Sequence, residues 1–259
     1  MGRSPRTLAS LVALAAASCG FGGGGAGGGN GGAPSLRVAA AASLRELCES
    51  TAPGFCAGRS ASLVFSFEAS SMLARQIAAG AAFDAFLSAD SECVERVRDL
   101  ADPDSIGPFL KNRLVLVARE GLESPPRDPE ALASFGGRLA LAGPAVPAGR
   151  YARAYLERQG VLGRLLRGVA GADDVRATLA LVESGAADVA IVYATDALLA
   201  RRARVVFTVP DADDPGVRYV ACALRSSSDP ALAREYVRSL FGDEFQSAAL
   251  RMGFLRVPR

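Results

Sequence analysis

The residues best suited to chemistry stand at junctions where a strand-like pattern gives way to a helix-like one. Ser43 follows an apolar run and precedes Glu46 by three residues, a spacing that predicts a helix N-cap. Ser70 and Ser71 stand at the next such junction. Hydroxyls and the free N–H groups of a helix start together make a site suited to anions. Ordinary capping explains each serine as well, and for any one of them alone it is the favoured interpretation.

Three further junctions share this character. Pro147 and Gly149 precede a helix pattern, where they expose backbone N–H groups and leave room for close approach. Asp173 and Asp174 precede another helix, whose dipole favours acidic side chains at its start. Tyr193 ends an apolar strand pattern and carries a further hydroxyl. A turn, a cap and a core tyrosine explain these residues singly, but together the junctions offer several donors and little bulk.

The composition excludes several functions. Half of the 259 residues are apolar, which predicts a globular chain, and the net charge of +2 gives no footprint for nucleic acid. The absence of histidine excludes Ser-His-Asp and Cys-His nucleophile systems and His-ligated metals. Lys111 is the only lysine and has no Ser-x-x-Lys context. A hydrolase would need an Asp, Glu, Lys or Tyr base, so binding without catalysis is favoured.

The first 35 residues are predicted to lie outside the fold. Arg3 and Arg6, a short apolar run and Cys19 are typical of a signal peptide over residues 1–18. The cysteine indicates a bacterial lipoprotein with Cys19 as the lipidated residue, and a plain secretory peptide is the alternative. Residues 19–35 form a flexible tether, since ten of the chain's 28 glycines lie within residues 20–32. Removing this leader leaves 27 basic and 27 acidic residues, a net charge of zero.

Export to an oxidising compartment makes disulfides possible, but their pairing stays unassigned. The pair closest in sequence is eight residues apart, too far for a bridge on an unbroken helix, although Pro53-Gly54 could break the helix. The four candidate cysteines are Cys48, Cys56, Cys93 and Cys222.

From Leu36 onward, short apolar strands alternate with helical patterns, which predicts an α/β fold of mostly parallel sheets flanked by helices. Ligands of such sheets bind beyond the carboxyl ends of the strands, where the junctions above lie. The predicted strands are Leu36–Ala41, Ser62–Phe67, Ala85–Ser88, Arg113–Ala118, Arg138–Ala142, Val189–Tyr193, Arg204–Thr208 and Arg218–Leu224.

Six segments in order resemble the periplasmic molybdate-binding proteins of ABC transporters, within the type II solute-binding superfamily. They are AAASL (40–44), ASSMLARQI (69–77), DAFLSAD (84–90), VPAGRYA (146–152), DDVRATLALVESG (173–185) and IVYATDA (191–197). The resemblance implies a two-lobed fold with an oxyanion in the interlobe cleft. It places the ligand contacts on Ser43, Ser70, Ala148, Val175 and Tyr193. The serines and the tyrosine would donate through hydroxyls, and the serines, Ala148 and Val175 through backbone N–H groups.

The same resemblance implies capture of molybdate, and of the nearly isosteric tungstate, for an ABC permease by a monomer without cofactor. Crossovers near Arg113 and Arg218 predict lobe one over residues 36–112 and 217–259, and lobe two over residues 113–216. The expected location is the periplasm or cell envelope, with membrane attachment only through the lipid. The molybdenum would be held as an oxyanion, without direct cation ligands, and no contact would be acidic.

Two alternatives remain. The same fold could bind another anion, such as sulfate or an organic anion, and a histidine-free hydrolase is disfavoured. Glu68 departs from the family pattern, in which a small residue precedes Ser70 by two positions. A carboxylate facing the cleft would repel a dianion, so Glu68 is predicted to face solvent.

Overall fold

The structure is a computed structural model that describes residues 35–258. The predicted signal peptide, Cys19 and nearly all of the tether lie outside the described residues. Within that range, no helix is both long and apolar enough to cross a membrane.

The described chain alternates strands and helices along most of its length. The strands are β1 (Ser35–Ala41), β2 (Ser62–Glu68), β3 (Ala85–Ser88), β4 (Gly107–Lys111), β5 (Leu114–Arg119), β6 (Leu139–Ala142), β7 (Val169–Ala172), β8 (Val189–Tyr193), β9 (Ala203–Thr208) and β10 (Arg218–Ala223). The α-helices are α1 (Arg45–Cys56), α2 (Ser70–Ala78), α3 (Ser91–Glu95), α4 (Pro129–Ala133), α5 (Pro147–Arg158), α6 (Leu162–Leu165), α7 (Val175–Glu183), α8 (Ala194–Ala197), α9 (Pro230–Ser239) and α10 (Asp243–Arg251).

Two five-stranded sheets organise the chain, in the orders β2-β1-β3-β10-β4 and β7-β6-β8-β5-β9. The chain passes from the first sheet to the second between Lys111 and Leu114, and it returns between Thr208 and Arg218. The part of the chain built on each sheet is called the first and the second lobe below. The α/β fold class and its two-lobed form agree with the prediction.

Each sheet is mostly parallel, as predicted, but is mixed in that one of its five strands runs against the other four. Strand β1 pairs in parallel with β2 and β3, and β6 pairs in parallel with β7 and β8. Strand β10 is antiparallel to β3 and β4, and β5 is antiparallel to β8 and β9. The reason is the crossover: a strand arriving from the other lobe enters its sheet at the edge where the parallel strands end, so it runs against them.

Burial follows the position of each strand. Strands β6 and β8 are buried at every residue, as expected for central strands covered on both faces. At the contact between the lobes, the rings of Tyr193 on β8 and Tyr219 on β10 lie 5.9 Å apart. Tyr219 also packs edge-on against Phe109 and Phe254. These aromatic contacts fix the ends of β8 and β10 beside the cleft.

Candidate functional site

A small cavity lies where the carboxyl ends of the parallel strands of both sheets meet. Its volume is about 20 Å³. All five predicted contact residues line it: Ser43, Ser70, Ala148, Val175 and Tyr193. The remaining wall is formed by Ala41, Ala42, Glu68, Ala69, Ala89, Val146, Pro147 and Asp174.

Ser43 does not cap a helix, contrary to the capping-box prediction. It lies inside a short 3₁₀ turn, Ala42–Leu44, and no side chain caps that turn or the start of α1. Its Oγ lies 2.9 Å from the hydroxyl of Tyr219, and Ser43 is 4% exposed. The hydroxyl is therefore held in place by the first sheet at the edge of the cavity.

Ser70 is the first residue of α2, and it does not cap that helix either. Its Oγ accepts a hydrogen bond from the backbone N–H of Ala89 at 2.9 Å. Because that bond uses an oxygen lone pair, the hydroxyl proton stays free to donate. The residue is 1% exposed, so its donor is directed within the protein interior rather than to bulk solvent.

The second lobe contributes two helix starts. Ala148 is the second residue of α5 and Val175 is the first residue of α7. The first four N–H groups of an α-helix have no partner within the helix, so these two groups are free to bind an anion. Asp174 caps α7 by accepting from Ala177 N at 2.8 Å, which confirms the capping predicted there.

Gly149 permits the position of α5. A Cβ atom at this residue would overlap the carbonyl oxygens of Ala142 and Gly143 at the end of β6. The close approach predicted around Pro147 and Gly149 is therefore a close packing of α5 against the end of β6. It sets how near the N–H of Ala148 lies to the cavity.

Tyr193 supplies the clearest sign of a ligand. Its side chain is 1% exposed, it lines the cavity, and its hydroxyl has no hydrogen-bond partner among the described residues. Buried polar groups are nearly always paired, so an unpaired one on a cavity wall points to an external partner. Burial raises the pKa of the Tyr193 phenol well above its ordinary value, which keeps the hydroxyl a donor at neutral pH.

No basic side chain lines the cavity, although two arginines lie just outside it on the same helices. Arg150 on α5 forms ion pairs with Asp90 and, at 3.1 Å, with Glu92, both in the first lobe. Each pair joins the lobes beside the cavity.

Arg176 on α7 pairs with Glu46 of the first lobe at 2.5 Å. Its Nε also lies 2.5 Å from an oxygen of Asp196, without hydrogen-bonding orientation. Asp196 is fully buried, and burial raises its pKa to about 7. The charge of Arg176 is thus shared between carboxylates of both lobes.

Glu68 is half-buried on the cavity wall, so the prediction that it faces solvent is only partly right. One of its carboxylate oxygens accepts a hydrogen bond from Gln76 Nε2 at 3.0 Å. Gln76 lies on α2, whose first residue is Ser70. The carboxylate is thus tied to a neutral group of its own lobe.

Sequence patterns missed the residues that hold Ser43 and join the lobes. Tyr219 contacts Ser43 from a position 176 residues away along the chain, and Asn112, 69 residues from Ser43, contacts Tyr219; neither has a local sequence signal. Arg176 does stand within the recognised DDVRATLALVESG segment, but its partners could not be read from it.

The cysteines and possible cation ligands add no further site. All four cysteines of the described residues are free thiols, and Pro53 lies inside an unbroken α1. No cluster of three Cys, Asp or Glu residues in residues 35–258 is arranged to hold a metal ion.

Comparison with known proteins decides the family. The profile described as "Bacterial extracellular solute-binding protein" matches residues 36–255. The chain belongs to this family. One relative is the molybdate-binding protein ModA of Escherichia coli (strain K12), 34% identical over 227 residues that cover 85% of this chain and 88% of that protein.

Two solved structures share the fold of this family member. The periplasmic molybdate-binding protein of Azotobacter vinelandii has a TM-score of 0.77 at 24% identity, covering 86% of this chain and all of the other. The sulfate-binding protein SubI of Mycobacterium tuberculosis H37Rv has a TM-score of 0.76 at 18% identity, covering 86% and 87%. At these identities the two structures show the fold alone.

These comparisons confirm the resemblance to molybdate-binding proteins drawn from the six sequence segments. They also confirm that the chain is a binding protein and not an enzyme, because the family consists of solute-binding proteins.

Proposed function

We propose that this family member captures molybdate in the interlobe cavity, and tungstate equally, for delivery to an ABC permease. The observation that carries the proposal is the buried hydroxyl of Tyr193, a residue of the cavity wall, which has no hydrogen-bond partner among the described residues. Two serine hydroxyls and two helix starts surround the same space. The named function of the Escherichia coli relative agrees with it.

The chemistry of the walls suits a fully deprotonated tetrahedral dianion. Such an ion offers only acceptors, and hydroxyls and helix-start N–H groups supply donors with partial positive charge from the helix dipoles. Hydrogenphosphate carries a proton and needs an acceptor in the site. Glu68 and Asp174 are the carboxylates on the wall, and each is already hydrogen-bonded to a protein donor. Because none of the five proposed contacts is a carboxylate, molybdate and tungstate are preferred over hydrogenphosphate.

Several finer points belong to the same proposal. The ligand contacts are Ser43, Ser70, Ala148, Val175 and Tyr193. Lobe one spans residues 36–112 and 217–259, and lobe two spans residues 113–216. The protein acts as a monomer in the periplasm or cell envelope, held at the membrane by lipid on Cys19 after removal of residues 1–18. Mass spectrometry of the cell-derived protein tests the lipid directly.

Isothermal titration with molybdate, tungstate, sulfate and phosphate tests the binding function. We expect one site with similar affinity for molybdate and tungstate, weaker binding of the smaller sulfate, and no binding of phosphate. Ser70→Ala should weaken molybdate binding by roughly 1–3 kcal/mol, the contribution of one donor to a charged ligand. The control Ser124→Ala alters an exposed loop serine and should change nothing. Failure of the unmodified protein to bind molybdate refutes the proposal, and tighter binding of sulfate assigns that anion instead.

A further inference from the structure

A chain of buried hydrogen bonds leads from the crossover between the lobes to Ser43. Asn112 stands between β4 and β5, where the chain leaves the first lobe, and is 0% exposed. Its Nδ2 lies 2.8 Å from Thr195 Oγ1 and 3.3 Å from the Tyr219 hydroxyl. The Tyr219 hydroxyl in turn lies 2.9 Å from Ser43 Oγ.

The direction of this chain follows from one backbone contact. The Arg113 N–H donates to Asn112 Oδ1 at 2.9 Å, which fixes the carbonyl end of the amide on that side. The two amide protons of Asn112 must then point to Thr195 and to Tyr219. The Tyr219 oxygen therefore accepts from Asn112.

Tyr219 must donate its own proton to Ser43. Tyr219 is 0% exposed, and burial, the largest influence, raises the pKa of its phenol, so the proton is present at neutral pH. Ser43 Oγ is the remaining hydrogen-bond partner of the Tyr219 hydroxyl among the described residues. With a lone pair occupied by Tyr219, the Ser43 hydroxyl directs its proton away from Tyr219, and Ser43 lines the cavity.

We propose that Asn112 and Tyr219 are positioning residues that fix the Ser43 hydroxyl as a donor toward the bound anion. The inference rests on the proposed function, since it concerns the same cavity. Ser70 is set the same way by the Ala89 N–H. Each serine then accepts one hydrogen bond from the protein and keeps its proton free to donate to the anion, which favours fully deprotonated oxyanions. Asn112 and Tyr219 thus contribute to specificity without touching the ligand.

A double-mutant cycle between Tyr219 and Ser43 tests the inference by titration with molybdate. Tyr219→Phe keeps the ring that packs against Phe109 and Phe254 and removes only the hydroxyl. It should weaken binding about three- to tenfold, the range for one oriented hydrogen bond. In a Ser43→Ala background the same change should cost less than twofold, because no hydroxyl remains to be oriented.

A second double-mutant cycle distinguishes the direction of the Tyr219 proton from the effect of a negative charge at position 112. Asn112→Asp is nearly isosteric but places an acceptor oxygen beside Tyr219, which then donates away from Ser43. Ser43 must donate to Tyr219 and turn a lone pair to the cavity, so binding should weaken by more than in Tyr219→Phe. Adding Tyr219→Phe to Asn112→Asp should reduce this loss, whereas a simple charge repulsion would persist unchanged.

The control is Tyr236→Phe, which removes a buried hydroxyl that contacts the Cys48 thiol away from the cavity and should leave affinity unchanged. Thermal melting shows whether each variant is folded. Additive effects in the Tyr219–Ser43 cycle, or unaltered affinity in folded Tyr219→Phe, overturn the inference while leaving the proposed function intact. Absence of molybdate binding by the unmodified protein overturns the proposed function itself.

Discussion

Replacing Tyr193 by phenylalanine tests whether Tyr193 binds the ligand or only packs in the core. The variant keeps the ring that packs against Tyr219 and removes a buried hydroxyl that has no hydrogen-bond partner within residues 35–258. A hydrogen bond to a charged group contributes about 1.5–3 kcal/mol. Molybdate binding should therefore weaken by roughly 10- to 150-fold.

The ligand-free protein should respond in the opposite direction. An unpaired buried hydroxyl costs about 1–3 kcal/mol, so removing it should leave the melting temperature unchanged or raise it. Isothermal titration gives the first quantity, and thermal melting without and with molybdate gives the second. Tyr236→Phe is the matched control: Tyr236 is a buried tyrosine that packs against Phe55 and does not line the cavity, so the change should leave affinity alone.

The assignment of Tyr193 as a ligand contact fails if Tyr193→Phe binds molybdate as tightly as the unmodified protein, because the hydroxyl then donates nothing to the ligand. It also fails if the variant melts at a markedly lower temperature without ligand. That result would mean that the hydroxyl has a stabilising protein partner.

Three further changes address the cavity wall and the buried carboxylate. Gly149→Ala should lower both stability and molybdate affinity, because its methyl group displaces the start of α5, whereas Gly163→Ala, with open space around it, should be tolerated; melting and titration distinguish them. Glu68→Gln should tighten molybdate binding severalfold by removing a like charge from the wall, whereas the exposed Glu123→Gln should not, and unaltered affinity in the first variant would mean that the carboxylate is screened from the site. Asp196 has a folded-state pKa raised by burial to about 7, above its unfolded value, so its contribution to stability is present below about pH 4 and lost as pH rises to 7. Asp196→Asn should abolish that part of the pH dependence of the unfolding free energy, measured by denaturant titration at several pH values. An unchanged pH dependence would contradict a raised pKa of the buried Asp196.

The sequence predicts most of the strands because short apolar runs bounded by small or polar residues have few other structures available. The bounds of Ala85–Ser88 and Val189–Tyr193 agree with β3 and β8. The strands β4 and β7 were missed. Strand β4 begins with Gly107-Pro108, and β7 has the composition Val-Ala-Gly-Ala, so neither has an apolar alternation to detect.

The candidate site was predictable where a local motif places a residue, and not where distant residues meet. The five contact residues predicted from the family segments all line the cavity, yet the prediction that Ser43 and Ser70 cap helices was wrong. In both cases a contact across the sheet, with Tyr219 or with Ala89, uses the hydroxyl instead. Helix capping needs only nearby atoms, whereas these bonds depend on strand order, which a single sequence does not encode locally.

The arginines beside the cavity show how ion pairs join the two lobes without a basic side chain on the cavity wall. Arg150 and Arg176 lie on the two helices whose starts face the cavity, and each pairs with carboxylates of the first lobe. These pairs hold the lobes together without bringing a charge to the ligand. A guanidinium in the cavity would attract any anion, protonated or not, and would reduce the discrimination that oriented donors provide. Because both arginines lie beside the cavity and not on its wall, their ion pairs supply the attraction between the lobes. The proposed choice of anion then depends on the hydroxyls and the helix starts.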